Sequence, residues 1–330
     1  MLCDHYLGHE SQISGVEEHR LIGGKGDGMR LLEVRNGKGL ECTISADRCA
    51  DISRLSFMGR NMGYFSPCGY VAPAYYDKEG TNWLKSFTAG FLTTCGLAAV
   101  GSPCVDNGEA LPLHGTVGNI PSEHIWWHRE NGELIVEADI RDGQLFEQKL
   151  LLHRKIAFST TENKMTLTDT VKNCGDKASP LMVLYHINMG YPLLSENAIV
   201  DIPSTEVTPR DDHAAKDLDT HLQMIKPTEG FQEQCYFHRF EKEGKAKIYN
   251  PDIGLGLVLS FDTEKLNTLC QWKMMGKHDY ALGLEPGNCT PVGRDVLRKE
   301  GKLQFLNPEE TAEFSFTVTF FDDKSSWENG

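Results

Sequence analysis

Three residues of this chain have the type and surroundings of proton-transfer groups: His114, His186 and Glu285. His114 sits in the turn-like stretch LPLHGTVGN, where Gly115 and Gly118 leave backbone room beside it. His186 closes the apolar run of LMVLYHINMGYP, with Asn188 after it and Gly190 and Pro192 ending the stretch. Glu285 closes the apolar run of LGLEPGN and precedes Pro286-Gly287. A histidine and a carboxylate form a natural acid and base near neutral pH, because burial and neighbours tune each toward 7. Groups held at strand ends keep a fixed geometry, which proton transfer needs. A lone histidine in an apolar run is more often a satisfied core side chain, and it is the other two stretches that favour chemistry.

The elements that must hold these residues read as strands. Leu32 and Val34 alternate with charged neighbours, Asn36-Gly37 makes a hairpin turn, and Leu40, Cys42 and Ile44 alternate again. Leu134, Val136, Ala138 and Ile140 form a second such series, and Met165, Leu167, Asp169 and Val171 a third. Phe314, Phe316, Val318 and Phe320 alternate in a closing strand. Short strands separated by turn signals predict an all-β sandwich or barrel. Residues 67–101 are the least strand-like region and read as a long loop with a short helix at 82–87. Tyr70, Tyr75, Tyr76, Trp83 and Phe87 in it suit a sugar's C–H faces or plain core packing. Residues 201–226 read as a polar loop over one end of the sandwich. The organisation expected is one domain over 1–330, with 1–27 as an N-terminal extension and 67–101 as an insertion.

Several function classes are excluded or disfavoured. The formal net charge of −14 repels phosphate backbones, so nucleic acid is not an expected partner. No run of eighteen apolar residues is present, so no membrane span is expected, and the N-terminus lacks an export signal. The ten cysteines include no C-x-x-C pair, which points to free thiols in a reducing cytoplasm rather than to a zinc site. His124 and His128 have the i, i+4 spacing of a helical metal pair, but Ile125, Trp126 and Trp127 between them suit a strand, where the two are too far apart for one ion. GGKGDG at 23–28 resembles a phosphate loop without the helix that should follow it. No metal and no cofactor are expected.

Interconverting sugar anomers calls for such an acid–base pair. The acid protonates the ring oxygen, the base takes the proton of the C1 hydroxyl, the ring opens, C1 rotates, and reclosure gives the other anomer. The motifs LPLHGTVGN, VKNCG followed by LMVLYHINMG, and LGLEPGN, in that order, resemble the aldose 1-epimerase or galactose mutarotase family, and more closely its divergent bacterial branch. The resemblance runs over roughly residues 28–321. It implies a supersandwich of two large, mostly antiparallel sheets, with Glu285 as general base, His186 as general acid and His114 holding the ring or its hydroxyls. It also implies an aspartate in the loop before the glutamate, for which Asp211 and Asp212 both stand as candidates, and an arginine, for which Arg48 is chosen. Arg48, between Asp47 and Asp51, reads equally well as one member of a surface ion pair. Asn188 and Trp272 complete the expected substrate-binding set.

The function expected is that of an aldose 1-epimerase, an isomerase acting on a small free sugar. One alternative is an epimerase or isomerase of a less common sugar or sugar acid on the same scaffold. Another is a carbohydrate-binding protein without catalysis, which would not need a positioned histidine–glutamate pair. Cytoplasmic location and a homodimer are both compatible with the chain.

Overall fold

The computed structural model describes residues 5–330. Two sheets form the sandwich. The larger has eight strands in the order His124–Glu130, Glu133–Gly143, Lys149–Ser159, Lys164–Asn173, Thr311–Phe321, Leu255–Asp262, Glu243–Asn250 and Ile199–Asp201. The smaller has six, in the order Glu206–Pro209, Gln234–Arg239, Thr268–Met275, Tyr280–Gly287, Met182–Met189 and Leu92–Leu97. Neighbouring strands are antiparallel in both. The fold is the all-β, galactose mutarotase-like supersandwich. A five-stranded sheet, Gly15–Arg20, Arg30–Arg35, Leu40–Ser45, Asp51–Phe57 and Arg60–Asn61, packs on the same core.

Alternation builds the larger sheet. Phe314, Phe316, Val318 and Phe320 point inward from one strand, and Met165, Leu167 and Val171 from its neighbour. Burying each such side chain is worth about 1.5–3 kcal/mol. The smaller sheet differs in being covered on both faces. Along Met182–Met189 every residue is buried: Val183, Tyr185, Ile187 and Met189 face the core between the sheets, while Met182 and Leu184 face a second cluster with Trp83, Phe87, Cys235, Cys270 and Leu297. His186 and Asn188 share that outer face by strand parity.

Three segments depart from expectation. Within 67–101, the predicted short helix is present as the 3-10 turn Asn82–Lys85, but residues 92–97 form a strand rather than loop, paired to the His186 strand with Thr93 opposite His186. All six of its residues are buried, so a run such as LTTCGL shows no alternation to read. Within the expected N-terminal extension, Gly15–Arg20 belongs to the five-stranded sheet, pairing with Arg30–Arg35. The polar segment 201–226 contains the edge strand Glu206–Pro209 and the one-turn helix Asp212–Ala215. Cys3 lies outside the described residues, and the cysteines within them are free thiols.

Candidate active site

The register of the smaller sheet brings the acid and base together. Leu184 lies opposite Gly287 and Ile187 opposite Leu284, which sets His186 opposite Glu285 on the outer face. Gly283 makes room for the carboxyl, since a Cβ there would sit 2.2 Å from Glu285 Oε1. His186 Nε2 is 3.2 Å from Glu285 Oε1, with both side chains almost wholly buried. No hydrogen bond joins them: Glu285 Oε1 is buried without a partner, and so, elsewhere on the ring, is His186 Nδ1.

His114 arrives from a different element. Its backbone is left-handed, with φ 57°, and it is fixed by His114 N donating to Gly101 O at 2.9 Å and Gly96 N donating to His114 O at 3.1 Å. Gly115 follows at φ 74°, where any Cβ would meet the carbonyls of Gly96 and Ala99 at 2.4 Å. The turn carries the His114 ring to 5.7 Å from that of His186, edge to face, with its Nδ1 also buried and unpartnered. Aromatic side chains wall the group. Trp83 stacks on Phe87 at 4.4 Å and lies 5.0 Å from His114, while Phe87 and Trp272 lie 5.1 Å and 5.3 Å from His186. Asn188 Nδ2 donates to the His186 carbonyl at 3.0 Å, and its Oδ1 is a fourth buried atom without a partner. Four polar atoms left unmatched in one place is unusual, because a buried polar group without a hydrogen bond costs about 1–3 kcal/mol.

Burial sets the electrostatics. It pushes His186 down to about 3, helped by the neighbouring His114, and it pushes His114 down to about 4. It raises Glu285 well above the usual carboxylate range, with Cys235 adding to the rise. Both members of the pair therefore lean to their uncharged forms, and the carboxylate–imidazolium pair would require the carboxyl proton to move to the ring 3.2 Å away.

At the mouth, Trp272 Nε1 donates to Glu233 Oε2 and Arg210 Nη1 donates to Glu233 Oε1, both at 2.8 Å. Glu233 is close enough to raise the pKa of both His114 and Glu285. Neither Glu233 nor Arg210 was singled out from sequence; each sits in polar text whose place beside the pair depends on strand register. Asp211 is spent on capping its helix through the Ala214 N–H and on pairing with Arg210 at 3.0 Å. Asp212 is exposed in the first turn of that helix, and no contact joins it to the pair. Arg48 is buried and donates to the carbonyls of Gly118 and Val71, tying two loops together. It does not pair with its flanking aspartates: Asp47 holds Arg30 and Asp51 holds Arg154. His124 and His128 lie on the strand His124–Glu130, and no group of three or more His, Cys, Asp or Glu among the described residues is placed to hold a metal.

A concavity of about 670 Å³ lies behind the His114 turn and contains neither His186 nor Glu285. Its arginines are internally matched, Arg294 and Arg298 each meeting Asp106 at 2.6 Å. The convergence of unmatched polar atoms, rather than volume, locates the site.

The model of a family described as "Domain of unknown function (DUF4432)" matches residues 26–320. Among solved structures, a protein of Klebsiella pneumoniae provisionally described as an aldose 1-epimerase is 26% identical, with a TM-score of 0.90 over 95% of this chain and 85% of that one. A galactose 1-epimerase from Lactobacillus acidophilus is 13% identical, with a TM-score of 0.65 over 94% of this chain and 100% of that one. A galactose mutarotase-like protein from Clostridium acetobutylicum is 14% identical, with a TM-score of 0.64 over 94% and 99%. The last two likenesses concern the fold alone. No curated protein matches the chain.

Proposed function

For a chain that belongs to the family described as Domain of unknown function (DUF4432) and carries the galactose mutarotase-like fold, we propose the activity of an aldose 1-epimerase, interconverting the α and β anomers of a free sugar. One observation carries this reading: His114 Nδ1, His186 Nδ1, Asn188 Oδ1 and Glu285 Oε1 are buried without partners around a His–Glu contact of 3.2 Å. A polyhydroxylated ring supplies donors and acceptors to all four, and its C–H faces suit Trp83, Phe87 and Trp272.

Glu285, as carboxylate, takes the C1 hydroxyl proton while His186 delivers one to the ring oxygen. The ring opens, the C1 aldehyde turns, and on reclosure Glu285 gives its proton to the C1 oxygen while His186 takes one back from the hydroxyl that closes the ring. His114 holds a ring hydroxyl. The buried groups carry little charge, and Arg210 is occupied by Glu233 and Asp211, so the reading favours a neutral sugar over a phosphorylated or acidic one.

The test is anomer exchange of freshly dissolved hexoses and pentoses, followed by polarimetry or NMR. The wild type accelerates exchange of at least one sugar. His186→Asn lowers kcat about 10²- to 10⁴-fold with little change in KM, and His114→Asn raises KM at least as much as it lowers kcat. A folded wild type that accelerates no sugar of the panel would refute the proposal.

A further inference from the structure

The ladder that places Glu285 opposite His186 on one side places it opposite Cys270 on the other. Cys270 is almost wholly buried on the same outer face, and directly opposed side chains in a sheet have Cβ atoms about 4.5–5.5 Å apart. On the next strand outward, Gln234–Arg239, Phe237 lies directly opposite Cys270, and Cys235, two residues away on the same face, is its diagonal neighbour, with its sulfur accepting from Arg210 Nη1 at 3.1 Å. A line of contacts thus runs from a half-exposed cation through two sulfurs to a buried carboxyl.

We propose that Cys270 is the positioning residue of Glu285, its thiol donating to the carboxyl from across the ladder and leaving Oε1 turned to His186. A thiol suits this task because it is a weak donor. It orients the carboxyl while taking little from its basicity, whereas a hydroxyl in the same place stabilises the carboxylate more. The contact of Cys270 with Cys235, together with burial, raises the Cys270 pKa and keeps it a protonated donor. Its hydrogen bond works against the burial that raises Glu285. The proposal rests on the epimerase reading only for its activity arm.

The experiment is an infrared titration of the protonated-carboxyl band of Glu285, assigned by its loss in Glu285→Gln and recorded without sugar. In Cys270→Ser the band should vanish at a pH lower than in wild type by roughly one unit, and in Cys270→Ala at a higher one. The limb of the kcat profile set by the base moves the same way. In wild type the S–H stretching band shifts to lower frequency as Glu285 ionises, and this shift is absent in Glu285→Gln; it serves as the test if either variant fails to fold. Unmoved titrations in both folded variants, or an S–H band indifferent to Glu285, would overturn the proposal. A shifted titration in a protein inactive on every sugar would leave the positioning intact and remove the epimerase reading.

Discussion

Tyr185 and His186 are neighbours in one strand and open onto opposite polar clusters. On the inner face, Tyr185 Oη donates to Asp169 at 2.8 Å, and Arg154, wholly buried, donates to both oxygens of Asp169, to Asp51 Oδ1, to Thr94 Oγ1 and to the Cys49 carbonyl. Asp51 receives further hydrogen bonds from the Thr94 N–H and hydroxyl. No side-chain atom of that network is left unmatched, whereas four atoms around the His186–Glu285 contact are. Both clusters are buried and rich in ionisable groups, so burial alone does not mark a functional site. What distinguishes them is completion: the inner cluster closes on itself, and the outer one leaves polar atoms open.

The comparison breaks first at Arg154. Arg154→Met leaves Asp51 and Asp169 buried without their counter-charge, and urea unfolding should show a loss of about 3–5 kcal/mol. Activity per folded molecule should change little, because the network lies on the opposite face of the strand from His186. A loss below about 1 kcal/mol would mean that the network relaxes or admits water, and the contrast between the faces would be lost.

Acid stability gives a smaller effect. An unfolded histidine takes up its proton near pH 6.5, whereas His186 in the fold resists until about 3. Between those values the unfolded state binds more protons, so stability falls as pH falls, by about 1.4 kcal/mol per pH unit for each such group. His186→Asn removes one of these protons from the balance. Its stability should fall less steeply than that of wild type between pH 6 and 4 in urea titrations. Equal slopes would place the His186 ring in contact with water.

The inner cluster was partly written in the sequence. Asp169 stands at an inward position in the series Met165, Leu167, Asp169, Val171, and Arg154 at an inward position between Leu152 and Ile156. A charge on a core face must meet its opposite, yet which charge it meets depends on register, and the register sets Arg154 beside Asp169. The outer cluster was legible as three motifs, because each puts a polar side chain at the end of an apolar run or in a glycine turn. Glu233, Arg210 and the two thiols carry no such mark. They reach the site because adjacent strands align there, a relation between distant parts of the chain. The same reason explains Arg48 and Asp211, whose local surroundings suited a site but whose contacts hold loops and a helix end.

The most direct measurement pairs activity with stability in Glu285→Gln. A buried carboxyl whose Oε1 is left unmatched contributes little to folding, so the substitution should lower the anomer exchange kcat about 10²- to 10⁴-fold while leaving the unfolding midpoint equal to or above that of wild type. A folded variant with near wild-type kcat, or one whose lost activity merely tracks a lowered midpoint, would contradict the account.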